Sequence, residues 1–275
     1  MKRPTTVIVL AAVLTAVLTG AAVGLAQDFV TFKDQPSQEL FVASRAALAR
    51  GDGSVKNLQS LILKGRARIA QDDGPQAESS VVIKVLLPDS YLRVDTFPAM
   101  VQATGFQGNH LLTSITEAGR TSTPPSSMID ALLKSERARA TRLLLGSATA
   151  LMPALRLIGR TAPGIGSMER PSASTTGATS YDSANESRLI EFSGPDGFYL
   201  RFVVDSGRIP QRLEFRAARD EIWSTIYSDR RMVGGLLLPY HIVTTGRGGV
   251  REDLKLDEIV VNPRLSKEDF AGPRS

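Results

Sequence analysis

From Arg188 to Asn262 the chain alternates apolar and polar positions in short runs broken by turn residues. The runs are Arg188–Phe192, Phe198–Asp205, Pro210–Arg216, Ile222–Asp229, Leu236–Thr244 and Arg251–Asn262. Between them stand Gly194-Pro195-Asp196-Gly197, Ser206-Gly207, Gly234-Gly235 and Gly246-Arg247-Gly248-Gly249. This pattern predicts an antiparallel meander with one apolar face. The first half adds strands of the same kind at Leu58–Ile69, Ser80–Leu87, Tyr91–Phe97, Val101–Phe106 and His110–Ile115, the last two joined by a Gly108-Asn109 hairpin.

Two stretches carry helical periodicity instead. Ser37–Arg50 follows Pro36, places Leu40, Phe41 and Leu48 on one side and stops at Gly51. Met128–Leu145 follows Thr123-Pro124-Pro125 and a capping-box pattern, Ser127 with Asp130. Gly146 and Pro153 interrupt it, and Ala154–Ile158 is expected to add a last apolar turn. So many large apolar residues need cover. The expected fold is α+β: one domain with a strongly curved antiparallel sheet, a half-barrel, and both helices over its concave face. Residues 126–158 would form a helical lid, and the Ser, Thr, Gly and Ala bias of residues 163–187 predicts a flexible loop.

The N-terminus carries an export signal. Lys2 and Arg3 precede an apolar run from Val7 to Leu18, and Gly24-Leu25-Ala26 offers a cleavage site after Ala26. Residues 27–275 would then be the mature domain, in the periplasm. The competing reading is an uncleaved inner-membrane anchor, since Val7–Ala26 is about 20 residues, enough to span a bilayer. There is no cysteine, so neither a disulfide nor a lipid-modified cysteine is available, and stability must come from the core. The net charge of +5, lowered by two when Lys2 and Arg3 leave, is too mild to argue for nucleic acid.

Candidate chemistry is sparse. His110 and His241 lie far apart, each within an expected strand and with no neighbouring metal-ligand pattern, so structural roles are expected and no metal or cofactor. No nucleophile elbow, phosphate loop or zinc-protease helix occurs. Asp253, Lys255 and Asp257 share a strand face opposite Leu254 and Leu256, which argues a solvated surface. Arg66, Arg68, Arg93, Arg201 and Arg212 are expected on polar faces too. The balance favours binding over catalysis.

The run Asp229-Arg230-Arg231-Met232-Val233-Gly234-Gly235-Leu236-Leu237-Leu238-Pro239 and the following Tyr240–Thr245 resemble the LolA-like family of lipoprotein-sorting proteins. So do the strand Leu254–Val261 and the ending Asn262-Pro263 with Leu265 and Phe270; Leu87-Pro88 and Tyr91-Leu92-Arg93-Val94 fit the same order. The resemblance implies an antiparallel half-barrel with a helical lid over an apolar cavity that carries acylated lipoproteins across the periplasm. It implies partners of three kinds: acylated lipoproteins or lipids as cargo, an inner-membrane release complex and an outer-membrane acceptor, with the carrier a monomer. The studied carriers have an arginine before an early proline that helps hold the lid closed; this chain has Leu87 before Pro88, with Lys84 three residues earlier. Acyl-chain contacts are expected at Leu61, Leu63, Ile83, Val85, Leu92, Val94, Leu200, Phe202, Leu213 and Phe215 on the sheet. Leu132, Leu133, Leu144 and Leu151 would add contacts from the lid. The alternatives are that these residues form an ordinary filled core, and that the fold serves a periplasmic lipid-sensing regulator that contacts a membrane protein.

Overall fold

The computed structural model describes residues 30–49, 55–70, 76–147, 157–161, 188–194, 199–218, 221–246 and 249–271. The cleavage site, Leu151 and the expected loop at 163–187 lie outside them. Among the described residues, fourteen strands form one sheet in the order β1-β8-β9-β10-β11-β12-β13-β14-β2-β3-β4-β5-β6-β7. The first half of the chain supplies β1 (Val30–Phe32), β2 (Ser60–Ala70), β3 (Ala77–Leu86), β4 (Ser90–Thr96), β5 (Met100–Gln107), β6 (His110–Glu117) and β7 (Arg120–Ser122). The second half supplies β8 (Leu157–Thr161), β9 (Arg188–Ser193), β10 (Tyr199–Val204), β11 (Pro210–Ala218), β12 (Glu221–Val233), β13 (Leu236–Thr245) and β14 (Arg251–Val261). The two meanders meet where β14 pairs antiparallel with β2. One pair departs from the expected pattern: the short β1 runs parallel to β8.

Two helices cover one face. The first, α1 (Gln35–Leu48), starts two residues before the expected Ser37 because Asp34 caps it, accepting from the Ser37 amide at 2.8 Å, with Pro36 in the first turn. The second, α2 (Ile129–Ser147), is entered through a 3-10 turn at Ser126–Met128. Ser127, expected as an N-cap, lies inside that turn, which follows Pro125 without a side-chain cap. Leu157 and Ile158, expected in a last helical turn, belong instead to β8, whose Ile158 is exposed.

The sheet curves around α2. Arg139 on this helix reaches Thr104 of β5 at 3.4 Å, and Arg142 lies over the Phe215 ring of β11 at 4.0 Å. Between β5 and β11 run β4, β3, β2, β14, β13 and β12. Laid flat, those strand spacings would hold the two edges about 33 Å apart. Arg139 and Arg142 are separated by only about 4.5 Å along the helix axis. Both contacts can coexist only if the sheet wraps round the helix as a half-barrel. Glycine permits the close approach of backbones on the way. A Cβ on Gly65 would sit 2.0 Å from the Lys255 carbonyl oxygen, and one on Gly105 would sit 2.1 Å from that of Tyr91.

The C-terminal segment fastens the seam. Asn262, with φ of 53°, accepts from the amides of Gln59 at 2.8 Å and Ser60 at 3.3 Å, and donates to the Asn57 carbonyl at 3.0 Å. The Ser60 hydroxyl donates to the Pro263 carbonyl, and Phe270 folds back to be buried on the convex side of β4.

Candidate functional site

Register decides which side chains face the helices. Leu61 and Leu63 of β2 pair with Val85 and Ile83 of β3, and Leu200 and Phe202 of β10 pair with Phe215 and Leu213 of β11. All eight are buried on the concave side in one continuous apolar cluster. Leu133 and Leu144 of α2 join that cluster. Leu132 is half-buried and stays outside it. Leu92 and Val94 do not face the helices. Ile83 pairs with Arg93, so Leu92 and Val94 point to the convex side, into a small separate cluster with Phe270, Leu265 and Ala103. They are closed off from the concave face by the sheet itself.

The two helices are held in different ways. Around α1 the packing is aromatic: Phe41 lies 5.5 Å from Phe32, 5.8 Å from Phe192 and 6.3 Å from Phe202 between ring centroids. Its C-terminal Ala49 also forms a bridge with Leu236. Such a helix is part of a filled core. By contrast, α2 adds a band of polar attachments to its leucines. Arg137 donates to the Gly108 carbonyl at 3.0 Å and to Asn109 at 2.8 Å; Arg139, paired within the helix with Glu136 at 3.3 Å, reaches Thr104; the Tyr227 hydroxyl donates to the Arg142 carbonyl at 2.7 Å.

Beneath α2 the concave face itself turns polar. Arg93, expected on a polar solvated face, is 3% exposed. It makes two bonds to Asp95, at 2.7 and 2.8 Å, and a close ion pair with Glu252 of β14. Ser79 donates to Asp95 at 3.0 Å, and Thr225 and Thr244 share a hydrogen bond at 3.1 Å farther round. Burial opposes the charge on Arg93, but Glu252 and then Asp95 hold it protonated well above its ordinary range. Burial likewise opposes the charge on Glu252, yet Arg93, then Arg139, hold its carboxyl down at about 2. Burial, helped at Tyr91 by the nearby Glu136 and Glu252, lifts the hydroxyls of Tyr91 and Tyr227 far above their usual range. The interior is therefore amphipathic: an apolar floor crossed by a charged band under one helix.

Arg93, Asp95, Glu252, Glu136, Arg139 and Arg142 were not among the expected site residues. A signal existed at β4. The short Leu87-Pro88-Asp89 turn sets Leu86 opposite Ser90, which forces Ile83 opposite Arg93. Alternation alone points the other way, because both faces of β4 are covered and Leu92 and Val94 are its apolar pair.

On the convex face the polar residues expected at the surface are there. Lys64 pairs with Glu258 at 2.9 Å, Arg68 with Glu78 at 3.3 Å, and Asp253, Lys255 and Asp257 lie opposite the buried Leu254 and Leu256. His241 has partners that the sequence did not reveal: Nδ1 lies 3.1 Å from the Ser228 hydroxyl and Nε2 lies 2.9 Å from Asp253. This row crosses the outer surface of β12, β13 and β14 with Ser228 exposed, and serves as a cross-strand tie. Among the described residues no group of three metal-ligating side chains forms, and no helix is long and apolar enough to cross a membrane.

No family model and no curated protein matches the sequence. Solved structures do match the fold. A LolA superfamily protein from Nitrosomonas europaea aligns with a TM-score of 0.53 at 13% identity, over 85% of this chain and 96% of that one. A putative outer-membrane lipoprotein-sorting protein domain from Vibrio parahaemolyticus gives 0.51 at 10% identity, over 85% and 97%. A DUF1329 family protein from Desulfovibrio piger gives 0.53 at 9% identity, over 86% and 98%. The chain has the LolA-like fold.

Proposed function

We propose that this protein is a periplasmic carrier that takes acyl chains of lipoproteins, or of related lipids, onto its concave face beneath α2. The observation that carries this reading is the unequal attachment of the two helices. With α1 packed by phenylalanines and α2 held partly by hydrogen bonds, α2 is the movable cover. Lifting it returns Glu136, Arg139 and Arg142 to water, where charged groups are well solvated. The same movement uncovers Leu61, Leu63, Ile83, Val85, Leu213 and Phe215, which must be covered again by something apolar. Acyl chains supply that cover at about 0.8 kcal/mol per CH₂ buried.

In this mechanism the sheet is the rigid floor. Its leucines and phenylalanines contact the chains, Tyr227 and Arg137 set how easily the cover lifts, and the Arg93–Asp95–Glu252 group stays with the sheet. No covalent step is needed; uptake and release are exchanges of apolar cover. Carriage between membranes fits the N-terminal export signal, with the mature chain starting at Gln27. The sorting-domain neighbour from Vibrio parahaemolyticus supports the same direction of use. Native mass spectrometry of protein extracted gently from the envelope is the direct test. Bound lipid or lipopeptide is expected. Its consistent absence, together with failure to bind added acyl amphiphiles, sinks the reading. Depletion tests the carrier step itself: acylated lipoproteins should accumulate at the inner membrane, whereas an altered stress response with normal sorting would mark a sensor instead.

A further inference from the structure

Among the described residues, two of the arginines beneath α2 are paired with carboxylates. Arg93 is bonded to Asp95 and Glu252, and Arg139 to Glu136. Arg142 of α2 has no carboxylate partner among the described residues. Its guanidinium is stacked on Phe215 at 4.0 Å, and its Nη1 is shut off from solvent with no hydrogen-bond partner. A buried donor left unmade is costly, which makes this group a place for an acceptor that arrives from outside. Burial, and then the neighbouring Arg139, lower its pKa to about 10, so it still carries its proton at neutral pH. Glu252, whose charge Arg142 feels, is already engaged by Arg93.

We propose that Arg142 selects the ligand: the acyl chains bound beneath α2 belong to an amphiphile with an acidic head group, phosphate or carboxylate, which Arg142 holds. This rests on the acyl-binding reading above and adds the chemical class of the cargo. The placement suits it. Arg142 sits on the underside of the cover, directly before Leu143 and Leu144, which close over the apolar floor. A head group paired with its guanidinium would leave the attached chains over Phe215 and Leu213. Arginine's planar fork matches both phosphate and carboxylate with two parallel hydrogen bonds, and such pairs are strongest where water is excluded. An uncharged head, such as an alcohol or an amidated lipopeptide end, leaves the guanidinium as it is now.

The chain provides its own reporter. Trp223, the sole tryptophan, is stacked against Phe215 with centroids 6.1 Å apart, on the ring that Arg142 covers. The test is a fluorescence titration of the full mature protein with dodecyl phosphate, laurate and dodecanol, all below their aggregation limits, with inorganic phosphate alone as a fourth arm. The expected result is at least tenfold tighter binding of one or both acids than of dodecanol, and no response to inorganic phosphate. Arg142→Met should bring the ratio of acid to alcohol affinity to about one, whereas Arg142→Lys should keep most of it; circular dichroism confirms that both variants fold. Equal affinities for acid and alcohol in the unsubstituted protein, or a preference that survives Arg142→Met, overturns the assignment while leaving acyl binding intact. A response to inorganic phosphate as strong as to dodecyl phosphate also overturns it, marking a simple anion site. If none of the three amphiphiles binds, by fluorescence or by native mass spectrometry, the acyl-binding reading falls and this inference with it.

Discussion

Arg93 occupies a position where the neighbouring strands place Ile83 and Thr104, so a charge stands in the floor of an apolar basin. It persists because two carboxylates and a buried geometry leave none of the three groups alone. Removing one member of such a group is far worse than never having built it. Arg93→Met should destabilise the fold by about 3–5 kcal/mol in urea unfolding, because Asp95 and Glu252 then stay buried without the cation that both are bonded to. Replacing all three by apolar residues of similar size should recover much of that loss. Glu252 sets a pH dependence whose sign follows from its depressed pKa. Its carboxyl titrates at about 2 in the folded protein against an ordinary 4.5. Its stabilising contribution is therefore complete above the ordinary value and lost as pH falls from there toward 2. Urea midpoints measured from pH 6 down to pH 2.5 should fall, and Glu252→Gln should flatten that acid limb. An unchanged slope in the variant would show that other carboxylates carry the effect.

At the scale of elements, α1 and α2 look alike in sequence, each a helix-length segment with scattered leucines, yet they are fastened by different chemistry. A single substitution separates the two roles. Tyr227→Phe removes the hydroxyl that holds the Arg142 carbonyl and leaves the ring in place. A lost hydrogen bond of this kind is worth about 1 kcal/mol, or about a fivefold change in opening. Amide exchange should accelerate by about that factor in α2 and stay constant in α1 and the sheet. Equal acceleration in both helices would mean that they open as one unit, and α2 would then not be a separate cover.

For the whole molecule, carriage requires that the cover move against the floor. The chain has no cysteine, so a pair can be introduced cleanly. Thr104→Cys with Arg139→Cys, joined by a short bis-maleimide, would tie α2 to β5 across the contact that now spans 3.4 Å. The cross-linked protein should lose uptake of acyl amphiphiles, while each single variant and the unlinked pair keep it. Full binding by the cross-linked protein would place the ligand elsewhere than beneath α2.

Much of this architecture is written along the chain. Alternation and turn residues mark the meander from Arg188 to Asn262 and most of the earlier strands, because a sheet with one covered face imposes a period of two on its sequence. The closing Asn262-Pro263 and Phe270 were legible through the family resemblance, and the structure shows what they do: Asn262 takes a positive φ and Phe270 is a buried anchor. The two short strands β1 and β7 carry no such period, and β8 was hidden within an apolar stretch that suited a helix equally well. The charged band was hidden for another reason. Alternation separates the two faces of a strand without saying which one faces the core, and where Phe270 covers the convex side of β4 both faces are closed to water. Leu92 and Val94 then look like core and Arg93 like surface. Only the pairing of β3 with β4, and the wrapping of the sheet that brings Thr104 and Phe215 to neighbouring arginines of one helix, turned that strand around. Contacts between residues far apart in sequence depend on register and curvature, and both are properties of the assembled sheet.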